Sequence, residues 1–251
     1  AADNQATSDL AYEAALKALA NANVQPEEID LIITATITPD TFFPSTACII
    51  QNRLKAVNAA AFDLSAACSG FVYGLSVATQ FIKSGAYKKV LVVASETLSK
   101  IINWEDRNTC VLFGDGAGAA VLGQVDEGGI LGFELGADGS GGDVLSMPAG
   151  GSLNPATEQT VKDKMHYIHM NGNEVFKFAI KVMGDAAQKA LDNAGLDKEE
   201  IDCLVPHQAN IRIINSAAKR LKLGMDKVFV NVEKYGNTSA ASIPIALAEA
   251  G

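Results

Sequence analysis

The sequence is poor in several things that would have placed it quickly. Only 6% of its 251 residues are aromatic, with a single Trp and 3 His, and no apolar run approaches the ~18 residues a membrane helix needs. No basic-then-apolar segment opens the chain, so no secretory leader is expected. The cysteines Cys48, Cys68, Cys110 and Cys203 are far apart and form no CxxC pair. That excludes common zinc and thiol-redox spacings, and a disulfide framework would be unusual in so long a chain. Positive charge is also short: 20 Lys and Arg face 29 Asp and Glu, a net charge of −9. A partner rich in phosphates needs the opposite balance, so nucleic acid is not expected. An anionic substrate would have to meet a local basic patch. What is abundant is apolar: 48% of residues are hydrophobic, and the 22 Gly follow no period. Disorder and collagen-like structure are thereby excluded. A reduced, cytoplasmic globular protein without metal or membrane partner is the expectation.

The chain repeats itself. Ala14-Ala15-x-Lys17-Ala18-Leu19-x-Asn21-Ala22, followed by Glu27-Glu28-Ile29-Asp30, returns as Ala186-Ala187-x-Lys189-Ala190-Leu191-x-Asn193-Ala194 and Glu199-Glu200-Ile201-Asp202. The offset is constant at 202 − 30 = 172. So long a period implies two copies of a sub-domain rather than a solenoid.

Both copies alternate helical and β patterns. In the first, 8–22 has helical periodicity with Thr7 or Ser8 as cap, 31–36 is a β-branched strand, and 44–54 is a helix after a proline. A strand at 59–64, a helix at 69–83, a strand at 90–94 and a hairpin of 109–113 with 119–125 follow. The second copy predicts strand 130–135, a helix from Glu174 with an Asn171-x-x-Glu174 capping box, strand 203–205, helix 210–221, strand 228–232 and helix 239–250. These make an α/β protein of two fused halves, 1–126 and 127–251. Matching the copies predicts a first half lacking its first strand and a second half lacking its last two.

Three strand ends carry chemistry. Ala66-Ala67-Cys68-Ser69-Gly70 has small residues around a cysteine at a helix start, where the positive end of the helix favours thiolate. A buried structural cysteine is the other reading of this segment. His207 follows Leu204-Val205-Pro206 at the C-terminal edge of a strand, where α/β proteins place ligands. A histidine satisfied within the structure is the alternative; His166 and His169 have no such context. Gly236-Asn237-Thr238-Ser239-Ala240-Ala241 is a second small-residue turn, open to a plain helix-cap reading. The repeat sets Asn237 close to the position of Cys68. Packing about a pseudo-twofold axis would then bring a nucleophile, a proton-handling donor and a neutral amide together. Gly114–Gly118 enters a β-like run rather than a helix, so it is a structural turn and no dinucleotide fingerprint. Cys48, Cys110 and Cys203 are expected in the core. Helix 210–221 is expected to bury Ile211, Ile214, Ala218 and Leu221 and to present Arg212, Lys219 and Arg220 outward.

With these motifs, together with Asp106-Arg107-Asn108-Thr109, Phe113–Ala120, Val205–Asn210 and Gly236–Ser242, the sequence resembles the β-ketoacyl-acyl-carrier-protein synthase III family through essentially its whole length. The resemblance implies the thiolase-like fold, a duplicated α/β architecture in five layers, incomplete here at both ends. It implies a decarboxylative condensation of a short acyl-CoA with malonyl-acyl carrier protein, initiating type II fatty-acid synthesis. In it, Cys68 accepts the acyl group and His207 and Asn237 are its catalytic partners. Arg107, Phe176, Ala209, Asn210 and Arg212 would bind coenzyme A. Gln208, Ala209, Asn210, Ile211, Arg212, Lys177, Lys219 and Arg220 would meet the carrier protein. Phe43 would reach the acyl pocket of a second subunit in a homodimer. No cofactor is implied beyond the coenzyme A thioester substrate. A related condensing or acyl-transfer enzyme of secondary metabolism, and a non-catalytic carrier-binding fragment, are the alternatives.

Overall fold

The computed structural model describes residues 1–251. Helix α1 (Thr7–Ala22) precedes strand β1 (Leu31–Ala35), helix α2 (Thr46–Leu54), strand β2 (Ala60–Leu64), helix α3 (Gly70–Lys83) and strand β3 (Lys89–Glu96). Strand β4 (Gly116–Gly123) closes this part. The sheet order is β2-β1-β3-β4, with the first three parallel and β4 antiparallel to β3. Period-2 alternation divides the apolar residues between its faces. Ile32, Leu91 and Val93 pack with α1 and α2, whereas Leu31, Ile33, Ala35, Val90, Val92 and Ala94 pack on the α3 side.

Further along come the short strands β5 (Leu145–Ser146) and β6 (His169–Met170), which pair around helix α4 (Glu158–Lys162). The long helix α5 (Gly172–Ala194) packs on α6 (Ile211–Leu221), and α7 (Val232–Tyr235) leads to α8 (Ser242–Ala250). Helix α8 lies against β4. No helix is long and apolar enough to cross a membrane.

Several local expectations are corrected. Helix α1 starts from Ala6, whose N–H donates to Asp9 Oδ2 at 2.8 Å. Thr7 and Ser8 are buried inside the first turn, and their hydroxyls hold Thr38 O and the Asp40 carboxylate instead of capping. Only half of the capping box at α5 forms: Glu174 N–H reaches Asn171 Oδ1, while the Glu174 carboxylate turns to Lys177. No hairpin joins 109–113 to 119–125, because β4 takes β3 as its partner. The glycines ahead of and within β4 do not make a turn: Gly114 clears the Tyr235 carbonyl, and Gly116 and Gly118 clear space for α8. A Cβ on Gly116 would lie 2.8 Å from Ile245 Cδ1, and one on Gly118 2.8 Å from Pro244 Cβ.

The second-copy strands are also reduced. Leu204 and Val228 form one parallel bridge rather than a ladder. Residues 130–135 run extended with no strand partner and are held by α5, with Asn193 Nδ2 donating to Phe133 O at 2.7 Å. Cys48 and Cys203 are exposed and lie outside the core, whereas the half-buried Cys110 packs against the cluster of Leu98, Ile102 and Ile168. Helix α2 turns Ala47 and Ile50 inward, which leaves Cys48 outside.

The repeat is visible in three dimensions. Helices α1 and α5 both end on left-handed caps, Asn23 and Gly195, and 3₁₀ turns follow at Pro26–Glu28 and Lys198–Glu200. The same spacing relates the turns Ala67–Ser69 and Ser239–Ala241, and then the starts of α3 and α8. Even the backbone strain is shared: Ala67 has φ 45° and Ser239 φ 49°. The counterpart of Cys68 is therefore Ala240, and Asn237 stands three residues before it.

Gly70 is where the two copies meet the sheet. A Cβ there would lie 2.9 Å from Ala35 Cβ and 3.3 Å from Ala240 Cβ. Gly70→Ala is expected to cost about 1–3 kcal/mol in urea unfolding, as overpacking does. Gly136→Ala, which meets nothing within 4 Å, should be near neutral. Equal stability of the two variants would contradict this packing.

Candidate active site

Small residues build the site. Cys68 occupies the middle of the 3₁₀ turn Ala67–Ser69 between β2 and α3, and the turn Ser239–Ala241 packs directly against it. Bulky side chains at Gly70 or Ala240 would hold the two apart. Asn237 enters the second turn with its backbone pinned: its N–H donates to Leu112 O and its carbonyl accepts from Gly114 N–H, each at 2.9 Å. Its side-chain Oδ1 accepts from Ser239 N–H at 2.9 Å. Since a backbone N–H can only donate, this contact fixes the amide with Oδ1 inward and leaves Nδ2 as a free donor.

His207 is tied to the same segment. Its Nδ1 lies 2.5 Å from Ser242 Oγ, at the first residue of α8. Ser242 Oγ already accepts from Gln208 N–H at 3.2 Å, so its own proton is available to His207 Nδ1. We assign the Ser242 hydroxyl as the donor to Nδ1, which puts the imidazole proton on Nε2. Burial pushes the imidazole down to about 4, and the ring is neutral at neutral pH. The stretch Ser239–Ser242 thus touches all three positions: it packs on the Cys68 turn, orients Asn237 and holds His207.

The thiol is not favoured as an anion in this resting state. Burial pushes Cys68 upward and the negative charge of Glu96 adds to it, while the nearby Ser239 hydroxyl and a backbone N–H pull the other way. This corrects the expectation that the helix start alone would favour thiolate. Glu96 is itself fully buried, and burial pushes it up to about 7 against the hydroxyls and amide around it. Ser242, Ser239 and Glu96 were not singled out in the sequence. The offset of the repeat, which places Ser242 opposite Gly70, was the signal for the first two. A carboxylate closing an apolar strand was the signal for Glu96.

The remaining positions lie around the periphery. Arg107 is exposed on the loop Asp106–Asn108, whose Asp106 borders a polar cleft of about 330 Å³ with Lys164, Tyr167 and His169. His166 and His169 contact Thr160 Oγ1 and Lys164 O. Asn210 caps α6, accepting from Arg212 N–H at 2.8 Å, and Ala209 is half-buried. Arg212 is exposed, its guanidinium 5.2 Å from the Phe176 ring centroid. Lys177 pairs with Glu174 and Arg220 with Asp185, while Lys219 makes no ion pair. Phe43 is 86% exposed.

Two expectations for α6 change. Its buried stripe is Ile213, Ile214, Ala217, Ala218 and Leu221, and Ile211 is 43% exposed. Gln208 is not a surface residue. It is 1% exposed, and its amide donates to Pro206 O and Phe229 O and accepts from Asn231 N–H. Both its amide protons are spent inside, and its burial removes it from any docking face.

The chain is similar to known proteins along nearly its whole length. Two models of 3-oxoacyl-[acyl-carrier-protein (ACP)] synthase III match, one over residues 62–139 and its C-terminal counterpart over residues 191–251. The β-ketoacyl-[acyl-carrier-protein] synthase III of Caldanaerobacter subterraneus subsp. tengcongensis is 64% identical across 98% of this chain and 75% of its own length. The crystal structure of the Aquifex aeolicus 3-oxoacyl-[acyl-carrier-protein] synthase III superposes with a TM-score of 0.89 at 49% identity, covering 99% of this chain and 76% of that one. A priming β-ketosynthase of the R1128 polyketide biosynthetic pathway has the same TM-score of 0.89 at 38% identity, covering 100% of this chain and 74% of that one. The fold is the thiolase-like α/β fold, and the chain belongs to the β-ketoacyl-[acyl-carrier-protein] synthase III family.

Proposed function

We propose that Cys68, His207 and Asn237 perform the family's reaction, the decarboxylative condensation of a short acyl-CoA with malonyl-acyl carrier protein that starts type II fatty-acid synthesis. The observation that carries this is the Ser239–Ser242 segment, which serves all three side chains at once. In the first half-reaction the Cys68 sulfur attacks the acyl thioester and expels coenzyme A. In the second, the malonyl thioester loses carbon dioxide and leaves an enolate with charge on its thioester oxygen. His207 Nε2–H and Asn237 Nδ2–H donate to that oxygen, and preorganised donors of this kind are worth roughly 3 kcal/mol each. Neither donor carries charge, so neither is neutralised by the thiol or by the departing carboxylate. The enolate carbon then attacks the acyl-Cys68 carbonyl and releases the thiol.

Arg107, Asn210 and Arg212 are assigned to coenzyme A, with Phe176 and Ala209 beside them. The Phe176 ring holds the Arg212 guanidinium at the start of α6. The carrier protein is assigned to the exposed positions Ile211, Arg212, Lys177, Lys219 and Arg220. Phe43, strongly exposed, suits a contact with the second subunit of a homodimer. The halves 1–126 and 127–251 are the two repeat copies, acting in the cytoplasm with coenzyme A thioester as substrate and no added cofactor. A priming reaction in polyketide assembly is the second reading, favoured by the likeness to the R1128 ketosynthase.

Mass spectrometry after mixing with acetyl-CoA should find an acyl group on Cys68. His207→Ala and Asn237→Ala should retain that adduct yet slow malonyl decarboxylation by about 10²-fold or more, as loss of an oxyanion donor does. Ser242→Ala should slow decarboxylation less, because it frees the His207 tautomer without removing the ring. Condensation at the parental rate in either alanine variant would refute the assigned roles.

Charge reversal tests the carrier face. Replacing Arg212 and Lys219 by Glu should raise KM for acyl carrier protein several-fold with little change in Cys68 acylation. The effect should shrink at high salt, because exposed charges are screened. An equal defect at every salt concentration would contradict the docking assignment.

A further inference from the structure

One buried ionisable group has no part in the reaction as described. Glu96 ends β3 with no exposed surface. Thr38 Oγ1–H donates to its Oε2 at 2.7 Å, Thr36 Oγ1–H at 3.2 Å, and Ile37 N–H reaches both oxygens at 3.2 and 3.3 Å. Thr38 is itself held by Thr97 N–H and by Thr7 of α1. These neighbours are hydroxyls and amides; no Lys, Arg or His bonds to the carboxylate. The Cys68 thiol, on the turn before α3, feels the negative charge of this carboxylate. An uncompensated carboxylate is an expensive way to hold two threonines, since burying charge without a partner is costly.

Between the two stands Ser239. It is 2% exposed, and its Oγ has no formed hydrogen bond. The turn it opens, Ser239–Ala241, packs against both the Cys68 turn and β3, the strand that Glu96 ends. A buried hydroxyl without a partner costs about 1–3 kcal/mol, and the adjacent Thr238 Oγ1 is likewise unpartnered.

We propose that Glu96 takes the Cys68 proton through the Ser239 hydroxyl and keeps it for the lifetime of the acyl-enzyme. This rests on Cys68 being the acyl acceptor. As the thiol S–H bond breaks, its proton passes to Ser239 Oγ, and the Ser239 proton passes to a Glu96 oxygen. The thiolate forms its bond to the acyl carbon, the carbon–sulfur bond to coenzyme A breaks, and the departing thiolate is protonated by water. In the condensation the enolate electron pair forms the carbon–carbon bond and Cys68 leaves as thiolate. Glu96 then returns the proton by the same route, regenerating thiol and carboxylate. His207, neutral and already committed through Nδ1 to Ser242, is not needed as a base.

The test is the pH dependence of Cys68 alkylation by iodoacetamide in the full chain, read by peptide mass spectrometry so that Cys48, Cys110 and Cys203 do not interfere. Wild type should show two rises, one near neutrality as the pair loses its first proton and one in the alkaline range. Glu96→Gln should abolish the first rise and shift the second to lower pH, because the repelling charge is gone. Ser239→Ala should abolish the first rise, leave the second where it was, and slow alkylation at neutral pH about tenfold. Alanine suits that strained backbone, since Ala67 occupies the equivalent position at φ 45°. A first rise that persists in Ser239→Ala or Glu96→Gln overturns the relay. In parallel, failure of wild type to take an acyl group from acetyl-CoA on Cys68 overturns the nucleophile assignment, and the relay with it. Acylation accompanied by a single-rise profile overturns the relay alone.

Discussion

Everything in the site depends on the close approach of two strained turns. Ala67 and Ser239 both sit in the left-handed region, and each starts a 3₁₀ turn leading into a buried helix. Contact between them is possible because Gly70, Ala35 and Ala240 present almost no side chain at the crossing. Small residues here weaken local propensity and contribute little apolar burial of their own. They allow two helix starts from different copies to share one reacting centre. The sheet behind them supplies the rigidity: β1 and the middle of β3 are buried on both faces and cannot yield to relieve the strain.

Duplication has produced a division of labour rather than two equivalent sites. At the matching position of the second turn stands Ala240, not a second cysteine. The surrounding residues of that turn have become supports: Asn237 gives a donor, Ser239 fills the space beside the thiol, and Ser242 holds His207. Each support consumes one bonding direction of the side chain it holds and leaves the other open. This is why Asn237 Oδ1 and His207 Nδ1 both face the protein. The neutral state of His207 suits the same purpose, since a fixed dipole donor stabilises developing charge without a change in protonation.

Most of the first copy was legible because its elements are short, strongly patterned and mutually paired. The β-branched run of β1 and the continuous apolar run of β3 left little choice. The glycine run before β4 misled, since Gly114–Gly118 looks like a turn until α8 is placed over it. The strands of the second copy misled for a related reason. Leu204, Val228 and residues 130–135 have strand-like composition, but a strand exists only where a ladder partner lies beside it. At the site, Cys68, His207 and Asn237 were legible from small-residue turns and the repeat. Glu96 and Ser239 left only faint signals, the strand-end carboxylate and the repeat offset, and the inward turn of Gln208 left none, because it depends on contacts between segments remote in sequence.

The central claim is that two neutral donors from the second copy converge on the substrate of a thiol from the first. A crystal structure of the Cys68-acylated chain with a malonyl thioester analogue that cannot lose carbon dioxide would test it most directly. The account predicts the thioester oxygen within about 3.2 Å of both His207 Nε2 and Asn237 Nδ2. Ser242 should still be on Nδ1 and Ser239 N–H on Oδ1. An oxygen bound elsewhere, or either side chain turned so that these inner contacts break, would contradict it.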